Sequence, residues 1–154
     1  YNVHVTWNKE RKGTMWSPEF VRNGSIDNAI EVATPPEFPK GIAGIWSPEH
    51  LFTAAISSCF MTTFLAIAEN SKLEFKSFTC HAKGKLESVD GKLQMTEVDL
   101  QPVVAITKQE DRERAMRVLT KTEPACLITN SVKAKITMNP VISVAQEGVH
   151  IDTV

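Results

Sequence analysis

Between Leu51 and Ala68 apolar, small or hydroxylated residues wrap the whole helical wheel instead of forming one stripe. The stretch IWSPEHLFTAAISSCFMTTFLAIAEN, residues 45–70, is therefore predicted to be a helix that the rest of the chain is built around. Ser47 can cap it, Pro48 suits the first helical position, and Glu49 favours the positive end of the helix dipole. A helix apolar on every side is either buried on every side or lies in a membrane. Residues 51–68 reach only the lower edge of a bilayer span, and Thr53, Ser57, Ser58, Thr62 and Thr63 are too polar for an isolated one. No basic cluster flanks the stretch, so the core-helix reading is preferred.

Elsewhere the alternation has a period of two. Val3, Val5 and Trp7 alternate with His4, Thr6 and Asn8, which predicts a strand with one buried face. Residues 10–13 (ERKG) read as a turn, 14–16 as a short returning strand, 17–28 as loop, and 29–33 (AIEVA) as a third strand. Residues 34–44 (TPPEFPKGIAG) carry three prolines and should form an ordered loop of fixed shape that leads to Ser47. Past the helix, 75–89 and 92–106 read as two long strands joined at Asp90-Gly91, a strong hairpin signal, with Phe78, Cys80 and Ala82 on one face. Pro102 marks an edge or a bulge. A second helix is predicted over 108–122, with Glu110–Arg114 and Glu113–Arg117 pairs and an apolar side of Ala115, Val118 and Leu119. Pro124 should break it and begin a new turn holding Cys126. Val132, Ala134, Ile136 and Met138 alternate with polar residues as a last strand, and 140–154 is weakly patterned. The order is strands, buried helix, hairpin, helix, strand. It indicates an α+β fold with antiparallel pairing and a single domain over 1–154, without a βαβ series.

Composition narrows the function classes. A chain of 154 residues with 42% apolar and 23% charged residues can bury a real core. The net charge of −1 offers no basic face for nucleic acid. The opening residues, YNVHVTWNKE, alternate and lack the apolar run of a secretory signal, and a start at Tyr1 suggests a trimmed chain. Three cysteines do not make a disulfide framework, which points to the cytosol and to thiols that are reduced at rest.

The thiols are the candidate chemistry. Cys80, on the apolar face of a strand, reads as a small core residue. Cys59 sits mid-helix among small residues, and Cys126 lies near a break where backbone N–H groups can lower a thiol pKa. On chemistry alone, either can be the reactive one. Cys80-His81 points to opposite faces of a strand and has no zinc spacing, and His50 reads as a packed or exposed side chain. No Gly-rich phosphate loop or nucleophile elbow is present, and no cofactor or metal is expected.

SPEHLF, with a helical cysteine ten residues after its Glu, resembles the OsmC/Ohr family of thiol-dependent peroxidases. ATPPEF with the glycine-containing linker before the helix, and the distal cysteine in EPACLITNSVKAKI, add to the resemblance, which runs from about Val3 to Met138. It implies antiparallel sheets wrapped around central helices in an intertwined homodimer. It also implies reduction of hydroperoxides, often organic ones, with a small or protein dithiol as reductant. Residue by residue, Cys59 matches the peroxidatic cysteine, Cys126 the resolving one and Glu49 the acid at the helix start. Arg11 is the best match for the family's arginine and Arg22 the second candidate, because the segment before ATPPEF is longer than in the family. Leu127-Ile128 follow Cys126 where many members have Pro.

This chemistry calls for these residue types. The nucleophile is the thiolate, and a buried thiol is expected to need a nearby cation to ionise. An Arg stays charged, and a Glu can orient it by a bidentate pair. Attack on the O–O bond leaves a sulfenic acid that a second thiol converts to a disulfide. Glu49 and Cys59, ten residues apart, are separated by roughly 15 Å on a straight helix. Either the helix starts irregularly, or Glu49 and Arg11 serve Cys59 of a second chain; the second is favoured. A different class, a weak family member that binds a small ligand or senses redox state, would keep the same fold and thiols.

Overall fold

The computed structural model describes residues 1–21, 24–26 and 28–145. Arg22 and most of the tail beyond Pro140 lie outside the described residues. The chain forms two compact units, Tyr1–Phe52 and a second from Thr53 onward.

The first unit is a three-stranded antiparallel sheet, β1 (His4–Lys9), β2 (Lys12–Trp16) and β3 (Ile30–Ala33), in that order. The predicted turn between β1 and β2 is made by Glu10 and Arg11, with Glu10 at φ 51°. Gly13 is obligatory in β2, since a Cβ there would lie 2.7 Å from the Thr6 carbonyl oxygen of β1. Ser17 caps a 3-10 turn over Pro18–Phe20 through its Oγ and the Glu19 N–H. The proline-rich loop has the fixed shape expected of it. Thr34 N–H bonds to the Arg11 carbonyl, Ile42 N–H to that of Thr34, and Ala33 N–H to that of Trp46. The burial of β1 differs from expectation: its whole length is exposed, with Val5 at 66% and Trp7 at 74%.

Helix α1 (Pro48–Asn70) begins at Ser47, whose Oγ accepts the His50 N–H and also bonds His50 Nδ1 at 2.8 Å. By length and composition it could cross a membrane. Its buried residues are Ile56, Phe60, Phe64 and Ala68, a single stripe spaced by four. The reading of a helix buried on all sides is thus not met within one chain: Met61 (38%) and Leu65 (42%) face outward.

In the second unit, β4 (Phe75–Val89) and β5 (Lys92–Ile106) form the predicted hairpin, and Asp90 and Gly91 both take positive φ as a type I′ turn requires. Phe60 and Phe64 of α1 stack on Phe78 of β4, and Phe64 also meets Phe75 edge-on. Each large side chain removed from water this way contributes roughly 1.5–3 kcal/mol. A Cβ on Gly84 of β4 would collide with the Thr53 hydroxyl of α1, so this glycine sets how closely helix and strand approach.

The expected antiparallel pairing holds for β1, β2 and β3 and for β4 with β5, but not for the strands that follow the second helix. The last predicted strand is found as β6 (Lys135–Met138), a further strand β7 (Val141–Val144) lies in the weakly patterned segment after it, and both pair with β5 in parallel. Pro102 explains the break. β6 pairs through Leu100 and β7 from Val103, so the residue without an N–H falls in the gap, opposite Asn139-Pro140. Asp99 Oδ1 anchors β6 by accepting from Thr137 Oγ1 and Asn139 Nδ2.

Helix α2 (Arg112–Ala125) follows a 3-10 turn over Gln109–Asp111. The predicted apolar side is buried, with Thr122 added to it. Of the two predicted ion pairs, Glu113–Arg117 forms, but Arg114 pairs with Asp111 instead of Glu110, because the 3-10 turn places Glu110 outside the α-helical spacing. Pro124 does not break α2 where expected. It sits inside the last turn, and Cys126 is the C-cap with extended backbone (φ −71°, ψ 114°).

Candidate functional site

Two thiols meet where α2 ends. Cys59 lies on α1, three residues after the buried Ile56 and next to Phe60, and is half-buried. Cys126 is fully buried. Its N–H bonds to the Glu123 carbonyl, and its own carbonyl accepts the Asn130 N–H, closing a turn that leads to a 3-10 segment over Thr129–Ser131. That turn aims backbone donors at α1: the Ile128 N–H lies 3.5 Å from Cys59 Sγ. The Cys126 and Cys59 thiols are close enough for each to act on the other's ionisation.

The two sulfurs are driven in opposite directions. Burial opposes ionisation of Cys59, but hydrogen bonds from Cys126, the Ile128 N–H, Thr63 and the Leu127 N–H together hold its thiol below the ordinary value. Burial and the neighbouring Cys59 push Cys126 up. The expectation that backbone N–H groups would lower Cys126 is corrected in its outcome: the Thr129 N–H and hydroxyl do act that way, but burial and Cys59 outweigh them. Cys80 stands opposite Pro102 of β5 and is pushed up to about 11 by burial. It forms no part of the pair.

The other sequence-predicted residues lie in the first unit. Arg11, in the β1–β2 turn, is exposed and lines an open apolar hollow of about 260 Å³ with Val5, Trp7, Val32 and Pro48. Glu49, in the first turn of α1, is half-buried. Among the described residues no ion pair joins Arg11 to Glu49. Since α1 is regular from Pro48, the irregular helix start is not found. Thr63 was missed at the sequence level, although its place four residues after Cys59 on the same helix face was a usable signal. The Leu127 and Ile128 amides carried no such signal, because side-chain identity does not reveal where a backbone N–H points.

The chain is thus an α+β protein with a helix-and-hairpin core and two neighbouring free thiols, Cys59 favoured to ionise and Cys126 not. The family model for OsmC-like proteins matches residues 41–141, and the chain belongs to the OsmC-like family. Among solved structures it is similar to an OsmC-like protein of unknown function from Vibrio cholerae, with 25% identity, 91% of this chain and 97% of that one covered, and a TM-score of 0.78. It is also similar in fold to an organic hydroperoxide resistance protein from Elizabethkingia anophelis (21% identity, 94% and 97% covered, TM-score 0.69). The organic hydroperoxide resistance protein OhrB of Bacillus subtilis has the same fold (19% identity, 92% and 98% covered, TM-score 0.65). No curated protein matches.

Proposed function

We propose that the chain is a thiol-dependent peroxidase that reduces hydroperoxides, organic ones in particular, in oxidative-stress defence in the cytoplasm. The observation that carries this reading is the neighbouring Cys59–Cys126 pair, with the turn after Cys126 on Cys59 Sγ and opposed pKa shifts at the two sulfurs. The names of the relatives from Elizabethkingia and Bacillus support the substrate class.

The Cys59 thiolate attacks one oxygen of the peroxide. An S–O bond forms, the O–O bond breaks, and the departing alkoxide leaves as alcohol after taking a proton. Cys59 is thereby oxidised by two electrons to a sulfenic acid. Cys126, kept protonated until then, attacks Cys59 Sγ; the disulfide forms, and the sulfenic hydroxyl leaves as water with the thiol proton. A small or protein dithiol returns both cysteines to thiols by two exchange steps and is itself oxidised to a disulfide. Arg11 holds the peroxide oxygen and Glu49 orients it, both acting on Cys59 of a second copy in a homodimer. The outward apolar face of α1 and the exposed β1 are the surfaces such a copy would cover.

Free thiols titrated before and after one equivalent of cumene hydroperoxide or H₂O₂ test this. Loss of two thiols per chain, with a Cys59–Cys126 linked peptide by mass spectrometry, is expected. Unchanged thiols, or a Cys59–Cys80 link, would reject the mechanism and favour a ligand-binding or redox-sensing role.

A further inference from the structure

A thiolate in a half-buried site needs something to hold its charge, and a cation was the expected device. Within the chain the Ile128 amide is within hydrogen-bond distance of Cys59 Sγ, and the other described groups that favour its charge are the Cys126 thiol from the end of α2, the Thr63 hydroxyl from α1 and the Leu127 amide from the turn. None is charged. The amide donors exist because the chain has Leu and Ile where a proline would supply no N–H.

We propose that the Leu127 and Ile128 amides are the anion-holding site of Cys59, so that the turn carrying the resolving thiol also keeps the attacking sulfur ionised. For its catalytic meaning this rests on the peroxidase reading; as a statement about Cys59 ionisation it does not. The geometry behind it is the 3.5 Å approach of the Ile128 N–H to Cys59 Sγ, with the turn fixed by the Cys126 carbonyl and the Asn130 N–H. Backbone donors pinned in this way cost no reorganisation when the charge appears. They also tie the two thiols together: whatever displaces the turn takes the resolving sulfur and the donors away from Cys59 at once.

Ile128→Pro is the direct test. Ile128 has φ −68°, which the proline ring already prefers, so the substitution removes the N–H with little demand on its own backbone angle. Ile128→Ala changes the side chain and keeps the donor. The midpoint of Cys59 alkylation by iodoacetamide is expected to rise by about one pH unit in Ile128→Pro, slowing the reaction about tenfold at pH values below the midpoint. It should not move in Ile128→Ala. In the unaltered protein, the Leu127 and Ile128 amide proton shifts should titrate together with the Cys59 Cβ resonance. An unshifted alkylation profile in folded Ile128→Pro would overturn the proposal. So would amide protons that stay still as Cys59 ionises, and that measurement decides alone if the proline variant does not fold. Amides that titrate in a protein that consumes no peroxide would uphold this inference while rejecting the peroxidase.

Discussion

Each cysteine is governed by what surrounds its sulfur. Cys59 has four neighbours that favour its charge, Cys126 is buried beside that sulfur and held up by it, and Cys80 is half-buried on a strand with burial alone acting on it. Alkylation followed by mass spectrometry across pH 6–11 should therefore label Cys59 first, and Cys126 and Cys80 only at higher pH, Cys80 at about 11. Labelling of Cys126 ahead of Cys59 would reverse the roles of the two. Burial of Cys80 also has a stability consequence whose sign is fixed. In the unfolded chain this thiol ionises from about pH 8.5 upward, while in the folded chain it stays neutral to about 11. The unfolded state thus binds fewer protons over that window, and stability falls as pH rises through it. Urea midpoints should show this decline, and Cys80→Ala should flatten it. With Cys126→Ser the sulfenic acid at Cys59 loses its partner and should over-oxidise to sulfinic acid under excess peroxide, whereas Cys80→Ser should keep turnover. The sequence carried Cys59 and Cys126 as the candidate pair through their setting in SPEHLF and EPAC. The direction of each pKa shift was not legible, because it depends on three-dimensional neighbours and on N–H vectors.

At the scale of elements, the period-two and helical patterns located α1, the β4–β5 hairpin and α2 to within a few residues, since each is long and sealed by a cap or a turn with its own chemistry. Parallel pairing of β6 and β7 with β5 escaped them. An alternating strand looks the same whichever way its neighbour runs, and Pro102 signalled an interruption without saying on which side of β5 it fell. Contact between α1 and β4 is similarly invisible in the pattern but testable. Gly84→Ala places a methyl against the Thr53 hydroxyl. The expected cost is about 1–3 kcal/mol by urea denaturation, the usual range for overpacking. Combining it with Thr53→Ala should recover part of that loss, a coupling read from the double-mutant cycle. Strict additivity of the two changes would mean that helix and strand do not meet at this glycine. Phe64→Ala, which empties the space between Phe75 and Phe78, should cost roughly 3–5 kcal/mol.

For the molecule as a whole, what the chain leaves uncovered decides the reading. A helix apolar on every side was expected to be buried on every side, yet one chain covers only its Ile56–Phe60–Phe64–Ala68 stripe and leaves Met61, Leu65, Val5 and Trp7 in water. A second copy laid over these surfaces would complete the burial, and obligate interfaces of this kind are large and apolar. Light scattering at micromolar concentration is then expected to give twice the 17.1 kDa chain mass, and a monomer would remove both the dimer and the shared site. The shared site can be tested on its own. Arg11→Ala leaves a chain with an intact Cys59, and Cys59→Ser leaves one with an intact Arg11; each variant alone should reduce peroxide poorly or not at all. If Arg11 acts on the partner's sulfur, unfolding the two variants together and refolding the mixture produces heterodimers in which one of the two sites has both groups. Random pairing makes half of the dimers mixed, with one working site in each, so about one quarter of wild-type sites should return. If Arg11 instead served Cys59 of its own chain, no pairing of these variants could assemble a complete site, and the refolded mixture would be no more active than the variants kept apart.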